Sequence, residues 1–449
     1  MTLSARSGIT AAMWPYHPDL LAVPVPRYTS YPTAAEFTPA VGTPDLNAAL
    51  RGASGDVSIY LHVPFCTAIC WYCGCNTGAA NRRQRLDHYL DSLHREIAQM
   101  GARLGPGVRV TRVAFGGGSP NALAPTDLVR LADALTLHLP LDAPVWSIEI
   151  DPRSLTRDFA LVLGSIGVSH ASLGVQTLAP HLQAAIGRVQ PESVIAQATA
   201  LLRASGIRSL NFDLMYGLPG QTWDDLEATL TRSVELGADR VALFGYAHVP
   251  DLIPRQRRID ANRLPDMKAR FNMAARGHAL LIRAGYRAIG FDHFAKAGDP
   301  LALVAQHGHL HRNFQGFTDD PAPALIGLGA SAISAFPHVI VQNEKNAGRY
   351  RAAVTEHGLS GALGVVRGED DQRRGRIIEA LLCQGRAPID ADLAAHVADR
   401  ITPFLSRGLA TLDQGILCIA DDAMAYARSI AALFDAHRVH STRTFSSAV

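Results

Sequence analysis

The residues best suited to chemistry are four cysteines within ten positions, Cys66, Cys70, Cys73 and Cys75, spaced as C-x3-C-x2-C-x-C. Three thiolates on one loop can bind three irons of a [4Fe–4S] cube and leave the fourth iron open to a ligand from outside the protein. Structural zinc would use four closed ligands, usually with a second cysteine pair farther along the chain. The pattern favours a cluster with one reactive iron. Zinc completed by Cys75, or cysteines that only pack in a core, are the alternatives.

A glycine-rich segment, GGGSP at 116–120, follows a strand-like run downstream of the cysteines. Glycine is needed where a ligand approaches the main chain closely, because it has no side chain in the way. The segment is therefore a candidate for binding a small molecule beside the cluster. Taken alone, the same glycines are equally compatible with a simple turn.

Alternating strand and helix patterns must position these two segments. Strand-like runs lie at 57–63, 109–115, 145–150, 169–175, 208–215 and 240–245, and helical patterns lie at 86–104, 125–137, 192–204 and 223–236. Such alternation implies parallel strands with right-handed crossovers, and six units favour a partial barrel over a complete eightfold one. We predict an α/β fold with a partial (β/α)6 barrel and with its chemistry at the carboxyl ends of the strands.

Four regions follow from changes in pattern along the chain. We predict an N-terminal arm at 1–55 with a Pro- and Tyr-rich stretch, a catalytic barrel at 56–300, a connecting segment that covers the substrate at 301–370, and a mostly helical C-terminal domain at 371–449. The last region contains a DQG turn at 413–415 between apolar runs, which predicts a small hairpin.

Composition argues against nucleic-acid-binding, membrane-spanning and secreted proteins. Lys and Arg number 42 against 40 Asp and Glu, a net charge of +2 that gives no general field for binding nucleic acid. No apolar run approaches the roughly 18 residues that cross a bilayer, and the first 25 residues lack the apolar core of a secretion signal. We therefore expect a cytoplasmic protein.

Cys383 and Cys418 lie far from the other four cysteines, so we expect buried structural thiols rather than disulfides.

Several motifs together resemble a known family. The pattern C-x3-C-x-aromatic-C resembles the signature of radical S-adenosylmethionine (SAM) enzymes, and GGGSP resembles their glycine motif. Nearly end to end, the chain resembles the oxygen-independent coproporphyrinogen III dehydrogenases (oxidases) of haem synthesis. The matching stretches are PRYTSYPT at 26–33, CGCN at 73–76, IEIDPR at 148–153, NFDLMYGLP at 211–219, GFDHFA at 290–295 and HRNFQGF at 311–317.

The resemblance implies a site. It implies a radical SAM barrel in which Cys66, Cys70 and Cys73 bind a [4Fe–4S] cluster, while Cys75 acts outside that triad. It also implies two molecules of S-adenosylmethionine, surrounded by Tyr60, Tyr72, Gly117, Gly118, Ser119, Glu149, Gln176, Arg188, Asp213, Ala247 and Ile333. Ion pairing at the barrel mouth is the alternative role for the charged members of this set.

The resemblance also implies a reaction. A 5′-deoxyadenosyl radical takes a β-hydrogen from a propionate side chain of coproporphyrinogen III, and loss of carbon dioxide and one electron leaves a vinyl group. Two such reactions give protoporphyrinogen IX in a monomeric enzyme with an unidentified electron donor and acceptor. The alternatives are a haem-binding chaperone, whose members generally lack the fourth cysteine and the arm, and a relative that modifies haem.

Contacts with the substrate are predicted from its four carboxylates. Arginines suit carboxylates through two parallel hydrogen bonds, and the candidates are Arg27, Arg312, Arg438 and Arg443, with ordinary solvated arginines as the alternative. Tyr28 and Tyr31 either cover the mouth or anchor the arm. Two residues depart from the family pattern: Ser119 replaces the usual threonine of GGGTP, and Ser447 stands where a basic residue is usual.

Overall fold

The main sheet sets the architecture of this computed structural model, which describes residues 14–438. Twelve strands from these residues form it: β1 Gly55–Val63, β2 Val108–Gly117, β3 Leu141–Ile150, β4 Val168–Gln176, β5 Ser209–Tyr216, β6 Arg240–Gly245, β7 Tyr286–Ile289, β8 His293–Lys296, β9 Ala324–Leu328, β10 Ile333–Phe336, β11 Val339–Asn343 and β12 Gly361–Val366. Their order is β12-β11-β10-β9-β1-β2-β3-β4-β5-β6-β8-β7. Strands β1 to β6 pair in parallel. The six βα units and the partial barrel are therefore confirmed.

Helices follow each of the parallel strands β1 to β6. In chain order they are Arg83–Gly101, Pro125–His138, Arg157–Ser165, Pro180–Ala185, Glu192–Ala204, Trp223–Glu235 and Met267–Arg283. The first buries Leu86, Leu90, Leu93 and Ile97, which share one face because of their helical spacing. A capping box starts another: the Thr222 hydroxyl accepts from the Asp225 N–H, and the Asp225 carboxylate accepts from the Thr222 N–H.

The segment 301–370 contributes to the main sheet. Strand β9 pairs in parallel with β1 and adds a seventh parallel strand, and β10 to β12 continue antiparallel from it. Sequence patterns do not predict these four strands, which are only four to six residues long. Helices Pro300–Gln306 and Ala347–His357 and a two-stranded ribbon, His311–Asn313 with Gly316–Thr318, complete the segment. The predicted domain boundaries, and the role of this segment as a cover, stay predictions.

A buried carboxylate holds this added edge against the barrel. Glu96 is fully buried and accepts from the Gly329 N–H at 2.6 Å, the Asn343 side-chain amide at 2.9 Å and the Tyr350 hydroxyl at 2.8 Å. The first lies just after β9, the second ends β11, and the third belongs to the next helix. Because one side chain satisfies three buried donors from separate elements, its hydrogen bonds fix β9 beside β1.

The C-terminal region consists of helices and a small sheet. Helices Glu369–Gln384, Ala391–Leu405 and Ala427–Ala431 accompany a three-stranded antiparallel sheet, Arg386–Pro388, Ala410–Asp413 and Ile416–Ile419. The predicted hairpin is confirmed, with positive φ at both Gln414 and Gly415, as a two-residue turn of this kind requires. Cys383 is buried and Cys418 half-buried.

The N-terminal arm is clamped between the barrel and the C-terminal region. It contains helices Pro18–Leu21 and Thr43–Gly52. Arg428 donates to the carbonyls of Val25 and Pro26, and Arg312 donates to those of Arg27 and Tyr28. Of the two roles weighed for the tyrosines, anchoring agrees with these contacts: Tyr28 and Tyr31 are buried, and their hydroxyls bond Asp435 and the Ala436 N–H.

Within residues 14–438, no helix is both long enough and apolar enough to cross a membrane.

The Glu96 contacts generate a prediction about stability. Replacing Glu96 with alanine leaves three buried donors unpaired, so we expect the free energy of unfolding to fall by about 3–5 kcal/mol. Glu96→Gln keeps one acceptor oxygen and should lose less. Urea unfolding followed by circular dichroism measures both. The matched control is Glu356→Ala, because that side chain is 73% exposed. A Glu96→Ala midpoint equal to the control would contradict the assigned role.

Candidate functional site

The cysteine loop and the glycine segment are joined at the mouth of the barrel. Strand β1 ends at Val63 opposite Gly117, the last residue of β2. Beyond these ends the main chains remain paired, since the Gly118 N–H donates to the Val63 carbonyl at 2.9 Å and the Ser119 N–H donates to the Phe65 carbonyl at 2.8 Å. The loop that carries the cysteines therefore begins against the glycine segment.

Close packing explains the glycines. A Cβ on Gly118 would lie 2.6 Å from the Phe65 carbonyl oxygen and 2.7 Å from the Thr77 hydroxyl. Gly117 has φ +112°, and a Cβ there would lie 2.7 Å from the His62 ring. Both positions need glycine, one for space and the other for its backbone conformation as well.

Charged and polar groups surround the sulfur atoms of the loop. Cys70 is buried, and its sulfur accepts from the guanidinium groups of Arg188 at 3.1 Å and Arg153 at 3.4 Å. A hydrogen bond from Cys75 lowers the pKa of the Cys73 thiol to about 6 and raises the pKa of Cys75. Burial raises the pKa of Cys66, and the nearby Thr77 hydroxyl at 3.1 Å opposes this. The buried guanidinium of Arg188 and the half-buried one of Arg153 lie beside Cys70 and suit an anionic sulfur cluster.

One carboxylate orients both arginines. Asp151 follows β3 and forms ion pairs with Arg153 at 2.6 Å and Arg188 at 3.3 Å. Burial tends to raise the pKa of Asp151, but the two arginines outweigh it and the pKa is lowered. Arg188 also donates to the Gly174 carbonyl at 2.6 Å. Its position is therefore fixed from three sides.

A cavity of about 710 Å³ lies inside this arrangement. Its walls contain most of the predicted site residues: Cys66, Cys70, Tyr72, Cys73, Cys75, Gly117, Gly118, Glu149, Gln176, Arg188 and Asp213. They come from the loop after β1 and from the ends of β2 to β5, where parallel folds place their sites.

Two acidic side chains face this cavity. Burial raises the pKa of Glu149 to about 7, although its carboxylate accepts from the Gly117 N–H at 3.0 Å. Burial also raises the pKa of Asp213, which accepts from Ser172 and Asn211 at 2.8 Å each. Buried carboxylates with raised pKa values are stabilised by a nearby positive charge. The pocket therefore suits a cationic ligand.

Four predicted residues lie outside the walls of this cavity. The Tyr60 hydroxyl bonds His62 at 3.2 Å, and Ile333 lies against Gly327, the residue opposite Tyr60 in the sheet. The buried hydroxyl of Ser119 donates to Asn121 at 2.6 Å. Ala247 lines a separate cavity beyond β6. Their predicted contacts with S-adenosylmethionine stay predictions.

Three residues beside the cysteines have no role predicted from sequence: Asp151, Arg153 and Thr77. A signal was available for the first two, because both belong to the IEIDPR stretch at the end of a predicted strand. Their proximity to Cys70 depends on the crossing of two loops, which no local pattern reveals. Arg443 and Ser447 lie outside the described residues.

A tetrahedral zinc site would need donor atoms about 2.0–2.3 Å from one point. Among residues 14–438, no group of three or more His, Cys, Asp or Glu has an arrangement that would hold a single metal ion.

A larger cavity continues into the barrel. It measures about 1370 Å³ and shares Glu149, Ser172 and Asp213 with the smaller one. Phe244, His293 and Phe317 form part of its wall, with the Phe244 and Phe317 rings each edge-on to His293. The two cavities therefore meet at the acidic pair, so ligands in both would be neighbours.

The fold and the site define a radical SAM protein. The family model of the radical SAM superfamily matches residues 60–232. The chain is 40% identical to an oxygen-independent coproporphyrinogen III oxidase of Bradyrhizobium diazoefficiens, covering 92% of this chain and 94% of the relative. It is 36% identical to the Escherichia coli enzyme of that name, covering 92% and 93%.

A solved structure agrees with these relatives. Coproporphyrinogen III oxidase from Escherichia coli, described as a radical SAM enzyme, superposes with a TM-score of 0.89 at 33% identity, covering 95% of this chain and all of that one. The chain belongs to the oxygen-independent coproporphyrinogen III oxidase family. The predicted cofactors, a [4Fe–4S] cluster and S-adenosylmethionine, are those of its superfamily.

The glycine segment generates a prediction about binding. Gly118→Ala introduces a methyl group against main-chain atoms of Phe65 that cannot move aside, so the segment must shift. We expect the affinity for S-adenosylmethionine to fall about 10- to 100-fold, as for a clash of about 1–3 kcal/mol. Equilibrium dialysis of the reconstituted protein measures this. Gly52→Ala is the control, because its Cβ would meet nothing within 4 Å. Unchanged affinity in Gly118→Ala would rule out close approach of the ligand at this segment.

Proposed function

We propose that this protein converts coproporphyrinogen III to protoporphyrinogen IX without oxygen, by oxidative decarboxylation of two propionate side chains to vinyl groups. The observation that carries the proposal is the similarity over 92% of the chain to enzymes named for this activity. The four-cysteine loop, which joins the glycine segment at the barrel mouth, supports it.

Three cysteines are proposed to hold the [4Fe–4S] cluster: Cys66, Cys70 and Cys73. The fit is supported by the two guanidinium groups on Cys70 and by the lowered pKa of Cys73. When bound, the cluster and S-adenosylmethionine supply a carbon radical that can take a hydrogen atom from an unactivated carbon. Arg153 and Arg188 compensate the negative charge of the cluster and limit the entry of water at Cys70.

The 710 Å³ cavity is proposed to bind S-adenosylmethionine. Gly117 and Gly118 leave the main chain accessible, and Glu149 and Asp213 offer buried carboxylates to its positive charges or ribose hydroxyls. The predicted second molecule would lie toward the 1370 Å³ cavity, beyond Glu149. Support for this placement is the wall that the two cavities share.

The substrate is proposed to occupy the larger cavity and the barrel mouth. The aromatic and polar wall of this cavity suits an apolar ring that carries carboxylates. Because the cavities meet at Glu149 and Asp213, a propionate side chain there would lie next to the cofactor pocket, where a hydrogen atom can be taken.

Cys75 is proposed to act on the substrate rather than to bind the cluster. It is exposed, it lines the cofactor cavity, and its thiol donates to Cys73. Its electrostatic coupling to Glu149 supports a position at the meeting point of the cavities. We further propose a monomeric cytoplasmic enzyme that receives electrons from a separate donor and passes the electron lost from each side chain to a separate acceptor.

The proposed reaction is tested by an anaerobic assay of the reconstituted protein with coproporphyrinogen III, S-adenosylmethionine and a reductant. We expect protoporphyrinogen IX with two carbon dioxide molecules released per porphyrinogen. Omitting S-adenosylmethionine is the control and should abolish both products. Stable stoichiometric binding of haem with no release of carbon dioxide would reject the proposal and favour a haem chaperone.

The separate roles of the cysteines predict different effects of two substitutions. Cys70→Ser should lose the visible absorbance of the cluster and all turnover, because a cluster ligand is removed. Cys75→Ser should keep the absorbance and lose porphyrinogen turnover. Cys418→Ser is the matched control and should preserve both, since that residue belongs to the C-terminal sheet. Loss of the cluster in Cys75→Ser would contradict the assignment of three ligands.

A further inference from the structure

Two segments from elsewhere in the chain pack against the cysteine loop. The first is the stretch 186–189: the Trp71 N–H donates to the Ile186 carbonyl at 3.1 Å, and a Cβ on Gly187 would lie 2.6 Å from the Trp71 ring. The second is the segment 249–263, which follows β6. The protein surface around a cluster on this loop is therefore formed by three separate stretches of chain.

The segment 249–263 is fixed to the loop by two contacts. Gln256 is buried, and its side-chain amide donates to the Tyr72 carbonyl at 2.9 Å. The Arg258 guanidinium lies over the Trp71 ring, 6.0 Å from its centre. Both contacts reach the two residues between the second and third cysteines of the motif. The segment therefore has a defined position beside the predicted cluster ligands.

Positive charge is concentrated in this segment. Its 15 residues contain four arginines and two aspartates, a surplus that equals the net charge of +2 of the whole chain. Arg257 and Arg258 are exposed, and within residues 14–438 neither forms an ion pair with an acidic side chain. Exposed arginines without ion pairs are available to a partner of opposite charge.

Exposed apolar side chains accompany these arginines. Ile69 is 37% exposed and lies two residues before Trp71, and Val189 is 65% exposed and lies two residues after Gly187. Apolar side chains together with arginine are typical of protein–protein interfaces, in which Arg is enriched and Lys and Glu are depleted. We call this surface the cluster face and define it by Ile69, Trp71, Val189, Arg257 and Arg258.

The proposed chemistry requires a partner near this surface. One electron must enter the cluster before S-adenosylmethionine is cleaved, and an electron passes between proteins only when the two redox groups come close together. The cofactor and substrate cavities take up the barrel side of the loop, whereas Arg257 and Arg258 are exposed to solvent. A protein donor can therefore approach the cluster from the arginine side without displacing either ligand.

We propose that the cluster face is the docking surface for an acidic electron-carrier protein. The reduced redox group of the carrier loses one electron, and the oxidised [4Fe–4S]²⁺ cluster gains it and becomes [4Fe–4S]⁺, with no bond made or broken. This inference rests on the proposed function and names the class of its electron donor, a protein with negative charge around its redox group.

The arginines predicted from sequence as carboxylate partners do not belong to the cluster face. Arg27 donates to the Gly245 carbonyl at 3.0 Å, and Arg312 and Arg438 donate to carbonyls of the arm. Their charges are therefore used inside the fold rather than on this surface.

The test measures reduction of the cluster in the full reconstituted protein by anaerobic stopped-flow absorbance, without porphyrinogen. The protein donors are a reduced bacterial flavodoxin and a reduced [2Fe–2S] ferredoxin, both acidic, and the small donor is reduced methyl viologen, a cation. In the double variant Arg257→Glu/Arg258→Glu, the second-order rate constant should fall about 10- to 100-fold for each protein donor that reduces the wild type, because surface charge steers association. The rate with methyl viologen should not fall.

Three controls separate docking from folding. Arg386→Glu/Arg400→Glu makes the same change of charge at two exposed positions of the C-terminal region and should match the wild type. Arg257→Lys/Arg258→Lys keeps the charge and should keep most of the rate. At an ionic strength of about 0.5 M, the wild type and the double glutamate variant should become similar, because salt screens exposed charges.

Three results would overturn the proposal. One is an equal fall in rate with methyl viologen, because the cluster itself would then be altered. Another is failure of both protein donors to reduce a wild-type cluster that methyl viologen reduces. The third is an unchanged rate in the double glutamate variant. The proposed function is judged separately: it is rejected if the wild type, reduced by methyl viologen, does not convert coproporphyrinogen III, whatever the docking variants do.

Discussion

The site depends on two main-chain hydrogen bonds beyond the ends of β1 and β2, from Gly118 to Val63 and from Ser119 to Phe65. They extend parallel strand pairing past the strands and fix the start of the cysteine loop against the glycine segment. Only glycine at 118 leaves room for this approach. A cluster bound by the loop and a small molecule bound at the glycines would thereby be neighbours, as a radical reaction needs because its partners must be in contact.

The other strands of the barrel place positively and negatively charged side chains around the cysteine loop and the glycine segment. Arg153 and Arg188 approach from the cluster side, held by Asp151. Glu149 and Asp213 line the same cavity, and burial raises their pKa values. The cations match a cluster of anionic sulfur, whereas the carboxylates match a sulfonium and an ammonium group. Bound cofactors would therefore meet favourable charge with the cluster at the arginines and S-adenosylmethionine at the carboxylates.

Local sequence patterns predict much of this arrangement, but they do not predict all of it. The six parallel strands were found within a few residues of their true bounds because buried runs alternate with amphipathic helices. The cysteine and glycine segments are contiguous, so sequence was sufficient to identify them. Strand β9 was missed, since five buried residues carry no periodicity that separates strand from helix. The contacts of Arg153 and Arg258 were missed too, because they depend on elements far apart in the chain.

The clamped arm has a consequence for how the protein is made. The carbonyls of residues 25–28 are held by Arg312 and Arg428, which follow them by 284 to 403 residues. The ribosome releases the arm first and its partners last, so the arm can reach its final position only when synthesis is nearly complete. Until then the carbonyls of residues 25–28 lack the guanidinium donors that hold them in the finished protein.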